Sequence, residues 1–182
     1  FESGPPKIEA IELARIVDRG IRESGFIDFK KLNFKTGEKV WAILLDIFPV
    51  NDAGNLLDAA SIAAATALSV AVFPEIEDDK IQFGKFSDKK LPLTEMMPLA
   101  LTFHKIGKTI ILDPVTEEEE ASDVRLTIST SFNKKNLLIN AMQKGKSAVL
   151  SQEEVMSIFD SLPEQAKKLH ELVIEKIKKL KG

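Results

Sequence analysis

The sequence predicts a mixed α/β (α+β) protein, and three observations carry that prediction. Apolar residues recur at helical spacing near both ends of the chain. Four segments of the second half alternate or run apolar at strand length. Gly, Pro and Asn-Asp clusters punctuate the stretches between them. Composition agrees: 44% of the 182 residues are hydrophobic and 29% charged, which excludes a disordered or collagen-like chain. The length is enough to bury a core, as one large domain or two small ones. With no cysteine, a disulfide framework, a thiolate metal cluster and a cysteine nucleophile are all excluded. No apolar run reaches the roughly 18 residues that span a bilayer, so no membrane partner is expected. The start, Phe1-Glu-Ser-Gly-Pro-Pro6, does not have the form of a signal peptide, and a first residue other than Met points to a fragment or a processed chain. A cytoplasmic location is expected.

In chain order, Gly4-Pro5-Pro6 is an extended lead-in. Residues from about Glu9 to Ser24 form a helix, with Leu13, Ile16, Val17, Gly20 and Ile21 on one face and Gly25 as its stop. Val40 to Val50, broken only by Asp46 and Pro49, reads as a strand buried on both faces. Asn51-Asp-Ala-Gly-Asn55 is a turn, and Asp58 to Val70 a tightly packed helix of small residues. The polar stretch from Pro74 to Lys90, with a short strand near Ile81 to Phe86, is the best internal boundary. Strands follow at Pro98 to Lys105, Lys108 to Leu112, Arg125 to Phe132 and Asn136 to Met142, with a short helix at Thr116 to Ala121. Ser151-Gln-Glu-Glu154 has the form of a capping box and opens a helix that Pro163 interrupts or kinks. Leu169, Leu172, Val173, Ile177 and Leu180 supply its last apolar face.

Arginine placement is the sharpest chemical signal. The chain has four Arg against 21 Lys, yet three of the four are Arg15, Arg19 and Arg22, on one helical face. Arginine is preferred where a planar fork grips phosphate or carboxylate. The face is therefore either a phosphate contact or a solvated surface laced by Glu12–Arg15, Arg15–Asp18, Asp18–Arg22 and Arg19–Glu23 pairs. The net charge of −3 argues against a generic, field-driven nucleic-acid binder, so any such binding must be a local patch. Asp113, Glu117 to Glu120 and Asp123 form an acidic cluster, suited to acid–base or divalent-ion chemistry or simply an exposed first turn. Gly145-Lys146-Ser147 lacks the earlier Gly of a P-loop, since Asn140 stands there. His104 and His170 have no neighbours suggesting a triad or zinc site, so no metal is expected on this chain.

Phe1-Glu-x-Gly-Pro-Pro6, Ala10-Ile-Glu-Leu-Ala-Arg-Ile-Val-Asp-Arg19, Gly37-Glu-Lys-Val-Trp41 and Gly54-Asn-Leu-Leu-Asp-Ala59 together resemble the RNase PH-type subunits of the archaeal exosome that are not themselves catalytic. Asp113-Pro114 and the Ser-Asp-Val-Arg stretch around Asp123 are similar too. The resemblance runs over essentially the whole chain. It implies an RNase PH-like fold and the C-terminal two-thirds of such a subunit. Residues 1–73 would be the later part of the first RNase PH module, 74–92 a linker with a short strand, and 93–182 the C-terminal RNase PH module. Without the first module's upstream strands, the strand at Val40 to Val50 should have unpaired edges, and self-association or a separate N-terminal piece is expected.

The resemblance also implies a function. Such subunits alternate with a catalytic paralogue as three heterodimers in a hexameric ring, topped by RNA-binding cap proteins. The ring shortens the 3′ end of single-stranded RNA, with inorganic phosphate as co-substrate at the catalytic partner and no cofactor on this chain. Active superfamily members resemble one another in a Gly-Ser/Thr-Arg phosphate motif; the matching residues here are Gly54, Asn55 and Leu56, and leucine cannot bind a dianion. The arginine pair early in the first helix of active members has no equivalent, since Ile8 and Glu9 stand there. Asp123 matches the final catalytic Asp, and Glu117 lies where the other carboxylate would be, as a vestigial acidic pair. Carboxylates without a phosphate-binding cation leave the nucleophile's charge unbalanced. Arg15 and Arg19 match the arginines with which these subunits hold RNA, and Arg22 is a secondary candidate on the same face. The alternatives are an active phosphorolytic exoribonuclease using Glu117 and Asp123, or a purely structural ring scaffold.

Overall fold

The computed structural model describes residues 5–35, 37–78 and 80–180. The lead-in at Gly4 and the first part of the Phe1 motif lie outside those residues. At the centre is a four-stranded antiparallel sheet in the order β6-β5-β7-β8, built from β5 (Leu99–Ile106), β6 (Thr109–Leu112), β7 (Val124–Asn133) and β8 (Asn136–Gly145). All four strands were legible as apolar or alternating runs, and the short helix α3 (Thr116–Ala121) joins β6 to β7.

Strand alternation gives this sheet two different faces. On one, Leu101, Phe103, Leu126 and Ile128 pack under Ile158, Leu162 and Ala166 of the long C-terminal helix α4 (Gln152–Leu180). On the other, the register pairs Ala100 with Ser129, Thr102 with Thr127 and His104 with Arg125. That face is small and polar, and α1 (Ile8–Ser24) and α2 (Leu56–Val70) cover it. Close approach is possible because Gly20 of α1 sits over Ser129, where a Cβ would lie 2.6 Å from Oγ. Ile16 and Val17 of α1 then meet Ala60 and Ala64 of α2 and Ala141 of β8. Ser61 Oγ of α2 accepts the Ala100 N–H at 2.9 Å, satisfying a buried backbone donor.

The helix ends follow local chemistry. Gly25 closes α1 in the left-handed region at φ 67°, the conformation only glycine adopts without strain. Ser151 and Glu154 form the expected reciprocal cap: Ser151 N–H donates to Glu154 Oε2 at 2.8 Å, and Glu154 N–H to Ser151 Oγ at 3.2 Å. α4 runs on through Pro163 and is not interrupted there. The turns flanking Pro163 carry Leu162 and Ala166, both fully buried on the sheet, so packing keeps both sides of the proline helical. Leu172 and Leu180 are exposed, and His170 instead takes a place in the buried stripe between Ala166 and Val173.

Val40 to Val50 is not a buried strand. Only Lys39–Val40 (β2) pairs, with Asn33–Lys35 (β1), and residues 41–50 have no ladder partner among the described residues. Leu44 is 88% exposed and Val50 99%, while Trp41 packs between Phe34 and Phe73. Apolar composition reports a tendency to be buried, but a strand exists only where a neighbour meets its N–H and C=O groups. The polar stretch after α2 is likewise more ordered than a short strand. β3 (Val72–Glu77) and β4 (Lys80–Lys90) form a hairpin whose register slips twice, between Lys90 and Phe86 and between Phe86 and Ile81.

Candidate functional site

Helix α1 buries Ile16, Val17, Gly20 and Ser24, and a turn of 100° per residue puts Arg15, Arg19 and Arg22 on the side away from them. All three are exposed. Of the four ion pairs that spacing allows, one forms: Arg22 Nη2 donates to Asp18 Oδ1 at 2.9 Å. Glu12 turns the other way, and its Oε2 accepts Arg125 Nη2 of β7 at 2.7 Å. Arg15 and Arg19 form no ion pair or hydrogen bond among the described residues. All four arginines of the chain thus lie on α1 or touch it.

The loop 51–55 leads into α2 beside α3. Gly54 adopts φ 103°, and a Cβ there would lie 2.4 Å from the Pro114 carbonyl oxygen, so only glycine fits. Its N–H donates to Asp52 Oδ1 at 3.0 Å. The N–H of Asn55, itself in the left-handed region, donates to Glu119 Oε1 at 3.0 Å. The Asn55 amide donates to Asp58 Oδ2 at 3.1 Å and to Asp113 Oδ1 at 2.9 Å. Leu56 opens α2 and lines an apolar groove of about 850 Å³ between α1 and residues 43–49. The loop is therefore ringed by Asp52, Asp58, Asp113 and Glu119, with no cationic side chain hydrogen-bonded to it among the described residues.

Asp58 is the buried centre of this network. Its Oδ2 accepts the Thr102 N–H at 3.0 Å and its Oδ1 the Thr102 hydroxyl at 2.6 Å. The Thr102 hydroxyl is thereby used as a donor, so at 3.1 Å it accepts from Thr127. Burial pushes the Asp58 carboxyl up to about 6 despite these donors.

The predicted acidic pair is not one hydrogen-bonded unit. Asp123 Oδ2 accepts the Gly107 N–H at 3.0 Å and so closes the β5–β6 turn. Glu117 is exposed and without a bonded partner among the described residues. Glu119 faces the loop instead, and it also stands 3.8 Å from His104 Nε2. His104 is fully buried on the polar face of the sheet. Its Nδ1 lies 3.1 Å from Ser122 Oγ, which donates its own proton to the Val124 carbonyl, so Nδ1 carries the hydrogen. Burial, then the charges of Arg125 and Lys146, hold His104 down to about 4, so it is neutral at pH 7. Lys146 Nζ donates to the carbonyls of Glu119 and Ser122, which makes it a cap for α3.

The sequence reading named Glu119 only within its acidic cluster, Asp58 and Arg125 only within motifs, and His104 only to set it aside; the network they form was not legible there. Within four consecutive Glu, only the phase of α3 against β5 selects Glu119. The strand alternation that aligns Thr102 with His104 was the one available pointer to the polar face. Among the described residues, no group of three or more His, Asp or Glu is arranged to hold a metal ion. No described helix is long and apolar enough to cross a membrane.

With the geometry established, comparison shows what the chain is similar to. Residues 1–74 match the model of the 3′ exoribonuclease family, domain 1, and residues 96–161 that of domain 2. The exosome complex component Rrp42 of Methanocella arvoryzae is 42% identical over 171 residues, 94% of this chain and 62% of the relative. Its counterpart in Pyrococcus horikoshii is 38% identical over 181 residues, 98% of this chain and 65% of the relative. Among solved structures, a chain of the Archaeoglobus fulgidus exosome with RNA bound to the active site superposes with a TM-score of 0.80. It is 38% identical, over 94% of this chain and 64% of that one. Rice Rrp46, at 16% identity and a TM-score of 0.58, shares the fold. The chain spans less than two thirds of the length of these Rrp42 relatives.

Proposed function

From a chain that belongs to the 3′ exoribonuclease family, with both RNase PH domains matched in order, we infer a non-catalytic ring subunit of an archaeal-type exosome. It completes a hexameric ring of three heterodimers with a catalytic RNase PH-type paralogue, beneath RNA-binding cap proteins, in the cytoplasm. Arg15 and Arg19 hold the phosphate backbone of single-stranded RNA as its 3′ end passes to the partner. Inorganic phosphate is consumed there, and this chain needs no cofactor or metal of its own.

One observation carries the non-catalytic part of this reading. The backbone N–H groups of Gly54 and Asn55, where an active relative would cradle phosphate, are already given to Asp52 and Glu119. A phosphate dianion at that loop would meet four carboxylates and Leu56 rather than a cation, and nothing there offsets its charge. The free guanidinium groups of Arg15 and Arg19 support the RNA-binding part, since neither is committed to an ion pair among the described residues. Arg22, held by Asp18, is the weaker candidate.

The test is RNA binding and shortening by the assembled full-length ring carrying Arg15→Ala and Arg19→Ala. Losing two phosphate contacts should lower the slope of log affinity against log salt by about 1.4 and slow degradation. Unchanged affinity and rate would leave the subunit a scaffold.

A further inference from the structure

We propose that Arg125 and Arg22 are positioning residues that draw the carboxylates of Glu12 and Asp18 away from Arg15 and Arg19, leaving those two free for a phosphodiester backbone. The proposal rests on the RNA-binding reading of Arg15 and Arg19, and extends it to the residues that hold the neighbouring carboxylates.

Spacing states the problem. Glu12 lies three residues before Arg15 and seven before Arg19, and Asp18 three after Arg15, so both carboxylates border the arginine face. Left alone, they would pair with those arginines and repel an incoming phosphate. The structure shows both diverted, Glu12 to Arg125 at 2.7 Å and Asp18 to Arg22 at 2.9 Å.

The Arg125 arrangement is built rather than incidental. Its side chain is only 17% exposed, so it is not a solvated partner of convenience. Gly145, its register partner on β8, lies against the guanidinium, where a Cβ would be 2.4 Å from Nη2. Among the described residues, Glu12 is the one carboxylate bonded to it, and its Nε has no partner. A largely buried charge with a single counter-ion holds that counter-ion firmly, because releasing it would leave the cation unpaired. Glu12 is thus committed in a way that a surface lysine could not commit it.

The experiment measures affinity and salt slope for a fluorescent oligoadenylate on the assembled full-length ring, with thermal midpoints for every variant. Arg125→Gln releases Glu12 and should weaken binding about fivefold, the scale of one unit charge at contact distance in water. It should also flatten the salt slope by about 0.7, one phosphate contact. The double variant Glu12→Gln with Arg125→Gln removes the ion pair and also the freed carboxylate, and should return affinity to within about twofold of the parent. If Arg125→Gln changes nothing, or if both variants are equally weak, the pair is only a clamp on α1 and the proposal fails. A parallel pair at the surface, Arg22→Gln and Asp18→Asn with Arg22→Gln, reads out the same effect where folding is not at stake. The single should weaken binding and the double restore it; equal weakening of both would again overturn the proposal. Unchanged binding with Arg15→Ala and Arg19→Ala would instead remove the reading on which it rests.

Discussion

The side chain of Asp58 ties three parts of the molecule together: its own helix α2, the 51–55 loop through Asn55, and strand β5 through both donors of Thr102. A buried acceptor with this many partners is costly to disturb, because each donor left behind loses its partner without regaining water. Asp58→Asn puts an amide N–H₂ against existing donors, and should lower unfolding free energy by about 1–3 kcal/mol in urea titration. A variant as stable as the parent would mean that the network is not holding α2 to the sheet. At this scale the sequence was legible where scarcity made a residue conspicuous. Three arginines among so few formed a readable face. Glu119 was not readable, because neighbouring glutamates are chemically alike until α3 is docked against β5. Arg125 was passed over because its partner Glu12 lies 113 residues away, and spacing along one helix offered Arg15 instead.

Helix α4 poses the clearest question among the elements. Pro163 removes one backbone donor and crowds the preceding turn, yet the helix continues because Ile158, Leu162 and Ala166 are all buried on the same face of the sheet. Pro163→Ala should restore the missing bond and raise stability by on the order of 1 kcal/mol or more, read as a higher thermal midpoint. A lower midpoint would mean that the proline is matched to a local bend. The same competition between local propensity and tertiary packing decided the other elements. The four strands of the main sheet were legible because alternation and length are local properties. Residues 41–50 were misread because a ladder depends on a neighbour, and apolar composition cannot supply one. The β3–β4 hairpin was taken for a linker because its polar sequence lacks the alternation of a half-buried strand, and its slipped register explains why.

For the molecule as a whole, burial of titratable groups sets the pH dependence of stability. His104 and His170 are buried and held down to about 4, so between pH 4 and about 6.5 the unfolded chain binds protons that the native state refuses. Stability from these two rises with pH through that window and is complete above it. Asp58 works the other way: its native carboxyl keeps a proton up to about 6 while the unfolded one has lost it, so its contribution falls as pH rises from about 4 to 6. Two groups oppose one, and the urea midpoint should climb between pH 4.5 and 6.5, less steeply in His170→Gln. A midpoint that falls across this window would show that Asp58 dominates. The functional account stands on a more direct measurement: shortening of a 3′-tailed single-stranded RNA, with and without inorganic phosphate. The full-length protein alone is compared with the protein mixed with a catalytic RNase PH-type partner. No shortening alone and phosphate-dependent shortening together is the predicted result. Phosphate-dependent release of nucleoside diphosphates by the protein alone would contradict it, and would make the carboxylate-ringed loop at Gly54-Asn55-Leu56 part of a working active site.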